Sequence, residues 1–330
     1  MLPRLLTYDG CRHLLSWPGA IDALRAGHRL PRPEQGDVLL GSDEGQLLNR
    51  AAWIEGLGFA IKGDSVFPAN ARAGMPSIQG AVLLYDHRHG AVRAVIESRL
   101  VTQYKTVADS VLGAQCLARL DSRHLVIIGA GMVASTLAQA YAAMFPDLER
   151  ISIWSRRPEQ AHALAVTLGN LGAAVAAVAD LPEALRTADI VSAATMAREP
   201  VLLGKWVRPG THVDLVGAFT PEMREADDDL IAASLVYVDY IDTVVDRIGE
   251  LMQPIRSGAI TRGHVRGDLY DLVAANGSSR QTADQITLFK NGGGAHLDLM
   301  IADYVLNAVT AAQAAAEPGQ DGAQPRRPGG

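Results

Sequence analysis

Cysteine is scarce in this chain. Cys11 and Cys116 are the only two among 330 residues, too few and too far apart for a disulfide framework or a zinc site, so no metal is expected. The expected setting is a reducing compartment, the cytoplasm. Positive charge is not in excess either: 30 Lys and Arg stand against 36 Asp and Glu, a net charge of −6. That balance gives no general attraction to nucleic acid or to an anionic membrane, and it confines any basic site to a local cluster. No uninterrupted apolar run reaches the roughly 18 residues of a membrane span. The opening stretch MLPRLLTYDGCRHLL lacks an apolar core followed by a small-residue cleavage site, so neither export nor embedding is expected. No internal repeat is found.

Apolar residues, by contrast, make up 48% of the chain, enough for a large core, and the length suggests two domains. Residues 1–120 read as mixed α/β. A short helix is expected near 21–26. LGFAIKGD (from 57), IQGAVLLYD (from 78) and AVRAVIE (from 91) read as strands, with HRHG (87–90) as the turn that makes the last two antiparallel neighbours. Over 102–120, Val107, Val111, Ala114 and Leu117 or Ala118 recur at helical spacing, which predicts a connecting helix with Lys105 and Thr106 near its start.

From 121 to 295 the pattern alternates strand and helix. LVIIG, RISIW, AAVAAV, DIVSAAT, HVDLVGA and LVYVD are strands apolar on both faces, separated by helical stretches such as 132–144 and 158–171. That is the pattern of a doubly wound parallel sheet covered on both sides, an α/β fold of Rossmann type. A last apolar helix, 296–316, is expected to pack back on the first domain, and the Pro/Gly-rich tail 317–330 is expected to be disordered.

HLVIIGAGMVAS places Gly129, Gly131 and Ala134 as G-x-G-x-x-A between an apolar strand and a helix. The first glycine permits the tight turn, the second lets the backbone approach a pyrophosphate, and Ala134 allows close helix-to-strand packing. The helix N-terminus then offers free N–H groups to phosphate. After the second strand, where an NAD-specific site carries an acid for the ribose hydroxyl, the sequence has Ser155, Arg156 and Arg157. A carboxylate would repel a 2′-phosphate, whereas a hydroxyl and two guanidinium groups suit it, so NADPH is the expected coenzyme, with NADH also accepted. In the first domain, Lys62 sits inside an apolar strand and Lys105 in an apolar helix. Taken alone, each is either a cation for a substrate carboxylate or a lysine reaching solvent.

AIKGDSVFPAN, GMPSIQGAVLLYD, LVTQYKTVADSVLGA, VIIGAGMVA, DLVGAFTPEMREAD and LFKNGGGAHLDL occur in the order and spacing of the ornithine cyclodeaminase and μ-crystallin family. The resemblance extends to about residue 315. It implies a homodimer built through the first domain and a substrate site between the domains. It further implies that Lys62 and Lys105 bind the substrate carboxylate, with Arg32 as a further cation. The usual Arg-Thr-Ala-Ala motif reads Lys105-Thr106-Val107-Ala108 here, which keeps the charge and loses the bidentate fork. By the same resemblance, Ser77 lies near the nicotinamide. Thr106, Met132 and Val133 fall at the phosphates, and Lys105, Ala130, Thr195, Val216, Ala218 and Lys290 among the other coenzyme contacts.

Cyclodeaminases carry an aspartate where this sequence has Phe219, in VGAFTPEMRE. A phenyl ring can neither hold an ammonium nor take a proton, so ornithine cyclisation is disfavoured. Phe219 is expected as an apolar wall of the pocket or as core packing beside it. The sequence instead resembles the branch of the family that reduces the cyclic imines Δ1-pyrroline-2-carboxylate and Δ1-piperideine-2-carboxylate, to L-proline and L-pipecolate. His296 and Asp298 in GGGAHLDL are candidates for a proton donor, or for helix capping. The alternatives are another oxidoreductase of the family, such as an alanine dehydrogenase or an acyclic ketimine reductase, or a protein that binds NADPH and a small ligand as μ-crystallin does.

Overall fold

The computed structural model describes residues 3–316; the tail expectation for 317–330 falls outside them. Two sheets organise the chain. The first has the order β1-β6-β5-β4-β3-β2. Its strands are β1 (Arg4–Leu6), β2 (Glu34–Ser42), β3 (Gly45–Ile54), β4 (Gly58–Val66), β5 (Ile78–Tyr85) and β6 (Val92–Glu97). Neighbours from β2 to β6 are antiparallel, while β1 lies parallel to β6. The three strands expected in this region are β4, β5 and β6. The β2–β3 hairpin was not expected: β2 is almost wholly exposed, so its apolar residues follow no inward-outward alternation.

The second sheet is parallel throughout, with the order β12-β13-β11-β10-β7-β8-β9. It is formed by β7 (His124–Ile128), β8 (Arg150–Trp154), β9 (Ala174–Ala177), β10 (Ile190–Ala193), β11 (His212–Leu215), β12 (Leu235–Val238) and β13 (Thr287–Lys290). Every residue of β7, β10, β11 and β13 is buried, as expected of strands covered on both faces. Sequential order reverses between β7 and β10. In an open parallel sheet the ligand crevice lies outside the carboxyl ends of the strands at such a point.

The helix Ser98–Leu117 runs directly out of β6 and packs against both sheets. It begins four residues before the expected start at 102, because Leu100 and Val101 extend the apolar stripe upstream and are fully buried. Lys105 and Thr106 therefore lie two turns inside the helix, not at its N-terminus. Asp214 on β11 fastens this helix to the second sheet, accepting from Ser110 Oγ (2.8 Å), Ser192 Oγ (2.6 Å) and Tyr141 OH (3.1 Å). Burial pushes this carboxyl up to about 6, against the pull of those hydroxyls.

The helix Ala295–Ala316 lies across β3 and β4 and against the helices Trp17–Gly27 and Ser98–Leu117, as expected for 296–316. By length and composition alone it is apolar enough to cross a membrane, although Asp298, Asp303 and Asn307 interrupt its apolar run. Its first turns are buried in the protein, and they carry Asp298 into the interior. Trp17–Gly27 starts earlier than read because the Ser16 hydroxyl accepts from Gly19 N–H and Pro18 occupies the first turn.

Candidate functional site

At the sheet's reversal point, the turn after β7 carries the glycine pattern. Gly129 has φ +123°, and a Cβ there would stand 2.6 Å from the Ala194 carbonyl oxygen beyond β10, so only glycine fits. Gly131 has open space where its Cβ would be, and it begins the helix Met132–Met144 without a side-chain cap, leaving the first N–H groups facing outward. Ala134 is fully buried against the sheet, while Met132 and Val133 are exposed at the mouth. These features fit a dinucleotide pyrophosphate.

Beyond β8, Arg156 and Arg157 are exposed at the start of the helix Pro158–Leu168, and the first acid after the strand is Glu159, inside that helix. Ser155 is nearly buried and donates its hydroxyl hydrogen to the Arg157 carbonyl (2.6 Å). Its oxygen thus shapes the loop, and the two guanidinium groups are the parts that reach outward. After β10, the Thr195 N–H and hydroxyl both donate to Glu225 Oε1 (2.7 Å each), while Gly217 N–H donates to Glu225 Oε2 (2.6 Å). One buried carboxylate thereby joins the loops that carry Thr195, Val216 and Ala218. Burial, with repulsion from Glu250, pushes Glu225 up to about 8. Its sequence setting, MREADDD, did not mark it out from the surface acids beside it.

The second group of residues is charged and buried. Lys62 on β4 and Lys105 on the Ser98–Leu117 helix both approach Asp298 Oδ1, at 3.1 and 2.7 Å. Asp64 Oδ2 lies 3.7 Å from Lys62, and Lys105 also reaches the Gly294 carbonyl at 3.5 Å. Gly294 belongs to the turn after β13, which is held by Gly293 N–H donating to Asp239 Oδ2 (2.5 Å) and by Asn291 Nδ2 donating to the Thr106 carbonyl (2.9 Å). This turn links the lysine cluster to the carboxyl edge of the second sheet, where the coenzyme turn also lies.

Burial lowers Lys105 to about 7, with Lys62 and Arg50 adding repulsion and Asp298 opposing. Burial alone would raise Asp298, but the two lysines overcome it and hold the carboxyl below its usual value. Asp298 is thus an ionised tether for two lysines, which corrects its reading as a proton donor. His296, also buried, is kept neutral: burial, then His28 and Lys105, push it well below its ordinary value. Its Nδ1 lies 3.3 Å from Gln35 Oε1, and its Nε2 has no partner among the described residues. Asp298 Oδ2, Asp64 Oδ1 and Gln35 Nε2 are likewise unpartnered. Buried polar atoms rarely stay unpaired, so this concentration marks a place for a polar ligand or water.

Two expected site residues, Arg32 and Lys290, are committed elsewhere. Arg32 donates to both oxygens of the buried Asp268 (2.6 and 3.1 Å) and to Asp271 (3.3 Å), and its guanidinium lies 4.9 Å from the Tyr270 ring centre. Its fork is consumed at the N-cap of the helix Leu269–Ala274. Lys290 is fully buried and spends its ammonium on the carbonyls of Leu215 (2.9 Å) and Asn291 (2.5 Å), so it braces strand ends and presents no charge to a coenzyme. Phe219 is 57% exposed, which rules out core packing and leaves the ring standing on the loop after β11. Ser77 sits at the entrance to β5, where its carbonyl accepts from Phe67 N–H (2.8 Å). Thr106 lies half-buried beside Lys105, and Ala130 half-buried in the glycine turn.

Sequence reasoning missed Arg50. It stands on β3 directly opposite Lys62 and binds Asp37 through Nε and Nη2, both at 3.2 Å. The neighbouring stretch LLNRAAWI offered no signal beyond a single charge in an apolar strand.

Comparison with known proteins bears on the fold and the family. The chain is 56% identical over 303 residues to the Δ(1)-pyrroline-2-carboxylate reductase of Paracoccus denitrificans, covering 92% of this chain and 96% of that one. The Δ(1)-pyrroline-2-carboxylate reductase of Thermococcus litoralis, solved with NADH and L-proline, superposes with a TM-score of 0.87 at 29% identity, over 94% of this chain and 98% of that one. An archaeal alanine dehydrogenase dimer with bound NAD shares the fold, with a TM-score of 0.87 at 24% identity, over 95% and 98% of the two chains. Residues 52–313 match the model of the Ornithine cyclodeaminase/mu-crystallin family, and the chain belongs to that family.

Proposed function

We propose that the chain is an oxidoreductase that reduces the C=N bond of cyclic imino acids with a nicotinamide coenzyme. Its proposed substrates are Δ1-pyrroline-2-carboxylate, giving L-proline, and Δ1-piperideine-2-carboxylate, giving L-pipecolate, with NADPH preferred to NADH. The observation that carries this reading is the convergence of Lys62 and Lys105 on one buried oxygen of Asp298. A pair of ammonium groups so placed can receive a second carboxylate, and their internal tether keeps both charges in position before substrate arrives. Support for the substrate class comes from the Paracoccus relative and from the Thermococcus structure with NADH and L-proline.

The turn Gly129–Gly131, the start of the helix Met132–Met144, and Arg156 with Arg157 would hold the coenzyme, which when bound supplies the hydride that reduces the imine carbon. The chain's own groups orient and desolvate. Lys62 and Lys105 fix the carboxylate and so the plane of the C=N bond. Lys105, lowered to about 7, can hold or release a proton at Nζ near neutrality. His296, neutral and with Nε2 unpartnered among the described residues, offers a hydrogen bond without adding charge. An imine that arrives already protonated needs no further acid. The exposed Phe219 ring on the loop after β11 provides an apolar surface for the ring methylenes.

The proposed organisation is a substrate-binding and dimerisation domain (1–120 with the last helix) and a coenzyme domain (121–295), in a cytoplasmic homodimer. Val38, Leu39, Leu40, Leu47, Phe59 and Ile61 expose apolar side chains on β2 to β4, the kind of patch that a partner subunit covers.

The reading is tested by following NADPH and NADH oxidation with both cyclic imines beside pyruvate plus ammonia. Turnover of the imines, faster with NADPH, is expected. Preference for pyruvate plus ammonia would make the protein an alanine dehydrogenase, and tight NADPH binding without turnover would make it a binding protein. Ammonia release from L-ornithine with NAD⁺ would restore the cyclodeaminase activity that Phe219 argues against.

A further inference from the structure

Among the described residues, Arg50 is the one cation near the lysine cluster that no sequence motif announced. Directly opposed residues on antiparallel strands point to the same face, so Arg50, paired in register with Lys62, projects its side chain beside that lysine. The same face of β3 carries the buried Ala52 and Ile54, so it is the inward one, beneath the helix Ala295–Ala316. The charge of Arg50 is felt by three groups of the site: it repels Lys105 and His296 and helps to hold Asp298 ionised. Asp37 grips Nε and Nη2, which fixes the guanidinium plane, and Nη1 donates to no group among the described residues. Asp37 is the more exposed partner, 31% against 19%, so water screens the carboxylate more than the guanidinium. The charge ledger explains why such a group is needed. Lys62 and Lys105 already face Asp298 and Asp64, so the two lysines bring no net positive charge to an incoming carboxylate beyond what those two acids offset, and the guanidinium beside them adds a further donor.

We infer that Arg50, oriented by Asp37, is the third cation of the substrate-carboxylate site, through its free Nη1, and that Arg32 is not. This rests on the imine-reductase reading above and deepens it. Selectivity for a ring that bears a carboxylate over the same ring without one then depends on β3 as well as on the two lysines. A guanidinium tethered on one edge offers its remaining N–H groups in a fixed plane, so the arriving carboxylate is oriented as well as attracted.

The test compares wild type, Arg50→Ala, Arg50→Lys, Asp37→Asn and Lys62→Ala on Δ1-pyrroline-2-carboxylate and on Δ1-pyrroline, which lacks the carboxylate. Calorimetric binding of pyrrole-2-carboxylate to the coenzyme-loaded protein gives an independent readout. Arg50→Ala is expected to raise KM for the carboxylate substrate and the Kd of pyrrole-2-carboxylate about 10- to 100-fold, the usual scale for a lost charge-assisted hydrogen bond. KM for the coenzyme should stay within about twofold, turnover of Δ1-pyrroline should lose several-fold less than that of the carboxylate substrate, and Arg50→Lys should recover part of the loss. Asp37→Asn keeps the guanidinium and loosens its plane, so it provides the reading if Arg50→Ala does not fold; it should shift pyrrole-2-carboxylate affinity at least about threefold.

Unchanged affinity for the carboxylate probe in both Arg50→Ala and Asp37→Asn overturns the inference while leaving the lysine site intact, provided that Lys62→Ala loses the probe. If wild type turns over neither ring, the imine-reductase reading fails. The inference then stands or falls on whether pyrrole-2-carboxylate binds in an Arg50-dependent way.

Discussion

Lys105 and Asp298 meet at 2.7 Å in the interior, although one belongs to the helix that follows β6 and the other to the helix that follows β13. Their contact closes the chain's last helix over its first sheet and sets the electrostatics of the candidate site. Asp298→Asn should therefore damage stability and binding together. Removing one partner of a buried ion pair leaves the other uncompensated, a loss of about 3–5 kcal/mol, readable as a lower urea midpoint with an unchanged slope.

The same pair has a definite pH signature. Asp298 titrates lower folded than unfolded, so its stabilisation is fully present above the ordinary carboxylate value and is lost as pH falls through the lowered one. Lys105 is also lowered, to about 7, so it is charged only below that pH. Affinity for a carboxylate substrate should therefore fall as pH rises through about 7, while folding stability gains from Lys105 as pH rises from there towards its ordinary value, because the unfolded chain binds the extra proton. Lys105→Arg fixes the charge and should flatten the pH dependence of KM near 7, measured between pH 6 and about pH 9.

The glycine turn separates a folding requirement from a binding one. Gly129→Ala places a Cβ against the Ala194 carbonyl at a φ that L residues avoid, and should cost about 1–3 kcal/mol of stability in denaturant titration. Gly131→Ala meets nothing in the protein and has an ordinary φ, so the melting temperature should hold while coenzyme affinity drops. Equal thermal losses in the two variants would show that Gly131 serves the fold and not the ligand.

Much of this was legible in the sequence because local patterns report local structure. Strands buried on both faces, such as β7 and β11, announce themselves as apolar runs, and Gly129 and Gly131 stand at a fixed offset from one of them. What was not legible depends on partners distant in sequence. Nothing in KNGGG says that Lys290 turns inward to two carbonyls. Nothing near LPRPEQ shows that Asp268, 236 residues on, takes the Arg32 fork. The placing of β13 between β11 and β12 is a choice among parallel neighbours that strand composition leaves open. Arg50 was hidden for the same reason: its significance comes from its register with Lys62 on the neighbouring strand β4.

Arg32 yields a prediction of the opposite kind to those for the lysines. Its side chain is 47% exposed, but Asp268 beneath it is fully buried and caps the helix Leu269–Ala274. Arg32→Ala should destabilise the fold by about 1–3 kcal/mol, less than loss of Asp298 because water reaches the vacated side of Asp268. Asp268 itself keeps the Tyr270 N–H bond (3.1 Å), so the helix should still form. Chemical denaturation reports the stability, and binding of pyrrole-2-carboxylate reports the site. A large loss of carboxylate affinity in Arg32→Ala, with stability preserved, would return to Arg32 the substrate role that its pairing with Asp268 argues against.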